Sequence, residues 1–146
     1  MTTFLLIAFA LACYNVGTIW AHEVDIFRSW QEVGANFQRV QRTHWRKLPY
    51  WVLTPAALAW AMSIALFWYH PAQQPVWGIA GFCAAQTLSA ILTAIYWGPW
   101  QAALSRDPAG SESRYLRKIL RTHWLRTALI TCAPLFLLAS STHALS

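Results

Sequence analysis

The sequence predicts an all-α membrane protein: a four-transmembrane-helix up-down bundle with a pseudo-twofold internal repeat. Three observations carry this. The 146 residues are 57% hydrophobic and only 11% charged, with a mean hydropathy of +0.34, and a soluble domain this small cannot bury so much apolar surface. The apolar residues fall into four long runs. The eleven Lys and Arg all lie in or beside the links after runs one and three. A net charge of +6 raises the thought of nucleic acid. Basic residues set beside apolar spans are instead how membrane topology is written, so no nucleic-acid partner is expected.

The spans read about Thr3 to Ala21, Pro49 to Tyr69, Val76 to Trp100 and Trp124 to Ser140. Each is near the ~20 residues that cross ~30 Å of hydrocarbon. Backbone groups in lipid must bond within their own segment, so the spans are helices. The first run has no basic leader and no small-residue cleavage site before Glu23, and is read as a retained helix. Helical periodicity extends beyond the spans. Phe37, Val40 and Leu48 lead into span two, and Tyr115, Leu116, Ile119 and Leu120 into span four, giving helices at about 3–27, 35–69, 76–103 and 112–140 of a single membrane domain, 1–146. The segment from Asp107 to Ser111 is a turn, with Ser111 or Ser113 as the cap of the next helix.

The first link carries Glu23, Asp25, Arg28, Glu32, Arg39, Arg42, Arg46 and Lys47. The third carries Arg106, Asp107, Glu112, Arg114, Arg117, Lys118 and Arg121, with Arg126 just inside span four. The link from His70 to Pro75 has no charged residue. The positive-inside rule makes the charged side cytoplasmic and both termini outside, in a bacterial inner membrane. Trp20, Trp45, Trp51, Trp97, Trp100 and Trp124 are expected as an aromatic belt there. Cys13, Cys83 and Cys132 lie inside apolar runs and read as buried thiols.

Arg42-Thr43-His44-Trp45 recurs 79 residues later as Arg121-Thr122-His123-Trp124. The same offset maps Pro55 onto Pro134, Val40 onto Ile119 and Arg39 onto Lys118. Repeat one is about 1–70 and repeat two about 76–146. Two spans per half make the halves parallel, related by an axis along the membrane normal. His44 and His123 should then sit at equal depth.

Polar residues recur at helical spacing: Asn15, Thr18, His22 and Asp25 in helix one; Gln86, Ser89, Thr93 and Tyr96 or Trp97 in helix three; His123, Thr127 and Thr131 in helix four. In lipid such stripes turn inward. Imidazole with carboxylate is the ligand set of iron, copper or zinc in helical bundles. The metal candidates are His22, Glu23, Asp25, His44 and His123, with iron or copper expected. Tyr96 and Arg126 are the candidate catalytic residues, and Arg42, Arg121 or Arg126 is expected to neutralise the remaining acid or to hold an anionic substrate group. Two other readings stand beside this one. The His, Arg and acidic side chains pair only with each other and with headgroups, or His44 and His123 are the axial ligands of a haem. His70 and His143 lie toward the other side and read as interfacial.

The start of helix four, His123-Trp124-Leu125-Arg126-Thr127, resembles the Asn-Trp-(Ile/Leu)-Arg-Thr signature of small four-helix membrane proteins that include the anthrone-oxygenase-like family. Gly17-Thr18-Ile19-Trp20, then Phe37 and His44, are similar to a bacterial branch of that group. Here His123 stands for the usual Asn, and Pro99-Trp100-Gln101 stands where a Pro-x-His is expected. The resemblance implies oxygenase or related redox chemistry on a small aromatic or lipophilic substrate. The expected partners are membrane lipid and such a substrate, with a homo-oligomer or a larger membrane complex as the assembly. The competing reading is a non-catalytic accessory subunit. A transporter comes third, because no broken helix pair is evident.

Overall fold

The structure is a computed structural model and describes residues 2–69, 71–72 and 74–145, with side chains from Thr3 through Thr142. His70, and the side chain of His143, lie outside the described residues. Four helices long and apolar enough to cross a membrane account for most of it: α1 (Thr3–Ser29), α2 (Gly34–Trp68), α3 (Val76–Leu104) and α4 (Arg114–Thr142). No strand occurs among the described residues. In the most apolar 18-residue stretch of each helix only 22–39% is buried inside the chain. The remaining apolar surface has to be covered by lipid, so the chain has the character of an integral membrane protein.

α3 packs most extensively on α4. α1 packs on both α4 and α2, and α2 packs on α3. The α3–α4 approach is made by glycine. A Cβ on Gly78 would lie 2.1 Å from Ser140 Oγ and 2.2 Å from Ser140 Cβ, and one on Gly81 would meet the Phe136 ring at 2.5 Å. Small residues allow this close approach in a membrane, where no hydrophobic force draws helices together. Gln74, ahead of α3, adds a polar clasp: its amide donates to Ser141 Oγ at 3.0 Å and accepts from Ser140 Oγ at 3.3 Å.

Among the described residues there are two apolar cores. One, at the end away from the charges, joins Ala8, Ala12, Leu66, Ile79, Phe82, Ala85, Ala133 and Leu137. The other, at the charged end, joins Phe27, Trp30, Phe37, Leu104, Leu116 and Ile119. Gly34 and Gly110, at φ of 58° and 55°, make the turns that open α2 and precede α4, a backbone shape that suits glycine. Gln38 Nε2 donates to the Asp107 carbonyl at 2.6 Å and ties the two turns together. Ser113 is the cap of α4: its Oγ accepts from the Tyr115 amide at 3.0 Å and donates to Asp107 Oδ2 at 2.7 Å. That hydroxyl and the Ala109 amide hold the Asp107 carboxyl below the usual carboxylate range.

Three helices change pitch. Residues His22–Ile26, Pro49–Leu53 and Thr93–Trp97 form π turns. Pro55 has no N–H, which leaves the Trp51 carbonyl without its helical donor. Tyr14 Oη supplies one at 2.9 Å. Gly98 follows the third π turn, where a Cβ would stand 2.9 Å from the Thr93 carbonyl oxygen.

Two expectations are corrected. Cys13 and Cys132 are exposed and Cys83 is half-buried, all three as free thiols, because they fall on the outward faces of their helices. Trp97 belongs to the interior rather than to a belt, its ring buried and its Nε1 donating to Thr122 Oγ1 at 3.0 Å.

Candidate functional site

The π turn His22–Ile26 brings α1 against the paired Arg-Thr-His-Trp segments. His22 is buried, and its Nδ1 stands 2.6 Å from the Thr18 carbonyl. A carbonyl only accepts, so the proton is on Nδ1 and Nε2 presents a lone pair. His22 Nε2 lies 3.3 Å from His44 Nε2. On the other side His123 Nδ1 donates to Glu23 Oε2 at 2.9 Å. His123 Nε2 is buried with no hydrogen-bond partner. Glu23 Oε1 accepts from exposed Arg28 at 3.3 Å.

Aromatic edges hold the rings in place. Phe27 packs on His22 and His123 at centroid distances of 5.4 and 4.7 Å, and Trp30 packs on His44 at 5.2 Å. Trp97 approaches His123 at 6.2 Å.

The fit to a metal is partial. Two nitrogens about 2.0–2.1 Å from one tetrahedral ion stand about 3.3 Å apart, which is the His22–His44 separation. The Thr18 and Glu23 partners orient two rings as outer-shell groups orient metal ligands. However, among the described residues no group of three or more His, Cys, Asp or Glu could hold a metal ion. The five candidates His22, Glu23, Asp25, His44 and His123 are therefore not gathered as one set. Glu23 is engaged by His123 and Arg28. Asp25 is exposed, because the π turn adds a residue to the helical count and carries it off the stripe. Between His123 and His44 the Phe27 and Trp30 rings meet edge to face at 5.1 Å.

Tyr96 is also turned away. It is exposed and tilts against Trp100 at 5.7 Å, while its neighbour Trp97 points inward. The π turn Thr93–Trp97 decides between the two. Arg126 is buried, and its guanidinium carbon lies 5.9 Å over the Trp97 ring.

Above the histidines, between the two cores, lies a cavity of about 300 Å³ bordered by all four helices. Asn15, Trp60, Gln86, Ser89, Thr93 and Arg126 line it. Its mouth lies between α2 and α3, where Trp60 and Leu53 are exposed. Trp60 Nε1 donates to Thr87 Oγ1 at 3.1 Å across that opening. Sequence reasoning found Asn15, Gln86, Ser89 and Thr93 as polar stripes and Arg126 as an anion holder. It missed the cavity, because small residues such as Ala56, Ala57, Ala90 and Ala94 leave space without any chemical signature. No family model, no curated protein and no solved structure matches the chain.

Proposed function

We propose that the chain is a membrane-embedded oxidoreductase of the oxygenase type, acting on a small lipophilic or aromatic substrate. The observation that carries this is the His22–His44 nitrogen pair, oriented from outside by the Thr18 carbonyl, beside a lipid-facing cavity. In this reading His22 and His44 hold iron or copper, which supplies the redox chemistry when bound. His123, held by Glu23, is the nearby base. The substrate enters from the bilayer between α2 and α3. Arg126 orients it, and Tyr96 lies at the outer face rather than among the reacting groups.

The same proposal includes kinship with the anthrone-oxygenase-like group. It also includes an up-down bundle with parallel halves, charged links in the cytoplasm and both termini outside, in a bacterial inner membrane. The repeat is supported by where its two histidines lie. Both repeated histidines reach the same π turn of α1.

Metal analysis and an optical spectrum of the purified protein test the reading. Stoichiometric iron or copper, lost in His22→Ala/His44→Ala, is expected. A metal-free, colourless protein that copurifies with a fixed partner chain defeats it in favour of an accessory subunit. Cysteine labelling that places residues 105–113 outside the cell overturns the orientation.

A further inference from the structure

The cavity contains an electrostatic imbalance. Arg126 is a permanent cation and is 7% exposed. Among the described residues the ion pairs are Glu23 with Arg28 and Glu23 with His123, so no carboxylate answers Arg126. Its Nε is buried without a hydrogen-bond partner, and its guanidinium lies over the Trp97 ring. Gln86 Nε2 and Asn15 Oδ1, which belong to buried residues lining the same cavity, are also buried without partners. Buried polar groups are nearly always satisfied, and a buried charge without a partner is more costly still. Three such groups belong to residues that line one cavity, and together they leave the imprint that a ligand would fill.

The imprint has a chemistry. Arg126 Nε and Gln86 Nε2 are donors without acceptors. Two donors, one of them cationic and planar, fit an anionic acceptor with two oxygens, and Arg matches a carboxylate in this way. Asn15 Oδ1 is left for a hydroxyl or a water beside it. The rest of the wall is apolar or weakly polar: Leu53, Trp60, Ile130 and four alanines at 56, 57, 90 and 94. At about 300 Å³ the cavity is at the small end of ligand pockets, and its mouth faces lipid. We propose that this cavity binds a lipophilic carboxylate, its carboxyl group on Arg126 and Gln86 and its apolar part directed between α2 and α3. This names the substrate class of the reading above and rests on the membrane assignment, but needs no metal at His22 and His44.

Direct binding separates the two. The full chain in zwitterionic detergent is titrated with dodecanoate and with dodecanol, following tryptophan fluorescence and thermal unfolding. Dodecanoate is expected to bind at least tenfold more tightly than the alcohol, with or without added iron or copper. Arg126→Met abolishes that preference while the alcohol still binds. Ala90→Trp, which fills the cavity and keeps the cation, weakens both. Because Arg126 carries an unanswered charge, Arg126→Met is expected to fold and to melt at or above the wild-type temperature, so its loss of preference is readable. Equal binding of acid and alcohol, or an acid preference that survives Arg126→Met, overturns the proposal. Competition by a phosphoglycerol lysolipid of matched chain as strong as that of dodecanoate also overturns it, by making the site one for bilayer headgroups. A protein that purifies as a metal-free, colourless complex with a fixed partner yet still prefers dodecanoate defeats the oxidoreductase reading and leaves this one standing.

Discussion

Gly78→Ala tests whether α3 and α4 are as close as the structure has them. The added Cβ would stand 2.1 Å from Ser140 Oγ, 2.2 Å from Ser140 Cβ and 3.0 Å from the Phe136 carbonyl. Carbon atoms rest about 3.5–4.0 Å apart, so the helices must separate locally by more than 1 Å or so. A serine Cβ has no rotamer that removes it, and the backbone itself must give. Overpacking of this kind costs about 1–3 kcal/mol. The shift also pulls Ser140 and Ser141 from Gln74, whose bonds are 3.3 and 3.0 Å long. The upper half of that range is therefore expected, about 2–3 kcal/mol. Unfolding in mixed detergent micelles measures it. Ser140→Gly removes both clashing atoms, so the double variant Gly78→Ala/Ser140→Gly should recover more than half of the loss. A Gly78→Ala protein within about 0.5 kcal/mol of wild type, or a double variant no better than the single, refutes the close approach.

Three further outcomes are expected. Phe27→Ala empties a buried site touching His22, Trp30 and His123 and should cost about 3–5 kcal/mol, with a change in tryptophan emission; a cost below 1 kcal/mol or so would mean that the histidine cluster does not depend on this ring. Glu23→Leu leaves His123 buried with neither nitrogen paired and should cost about 1–3 kcal/mol, whereas Arg28→Ala, from the exposed end of the same pair, should cost under about 1 kcal/mol; equal costs would contradict the geometry. The folded Asp107 carboxyl titrates below its unfolded value of about 3.9. Its stabilisation of the turn is therefore complete above that pH and disappears as pH falls through the lower, folded value. Proteolysis at residues 105–113 should stay slow at pH 5, accelerate at strongly acid pH and lose this acid-triggered rise in Asp107→Asn; the same acid response in the variant would assign it to another group.

The helices were readable from the sequence because lipid imposes one simple demand, length with apolarity. Boundaries such as Val76 and Leu104 fall within a residue of expectation. His22 beside His44 and His123 beside Glu23 are two separate pairs rather than the single set that a shared depth near the charged boundary led one to expect. The details failed where the helical period changes. Counting in steps of 3 and 4 puts Asp25 and Tyr96 on the inner stripes, but a π turn precedes or contains each, and both are exposed. Pro55 and Gly98 mark two of these irregularities, yet neither residue type specifies a π turn by itself. The cavity is made by alanines, which are invisible to any search for reactive groups.

α1, α2 and α3 each carry a π turn, while α4 runs without one from Arg114 to Thr142. Where a residue is inserted into a helix, everything beyond is rotated by about 100°, so in the first three helices the two ends are phased independently. In α4 they are not. His123 and Arg126 sit three residues apart on that single regular shaft, about 4.5 Å along its axis. A tilt or rotation of α4 that accommodates a molecule against Arg126 must also turn His123 relative to Glu23. The cavity and the histidines thus share one helix, and a displacement of α4 at Arg126 is also a displacement at His123.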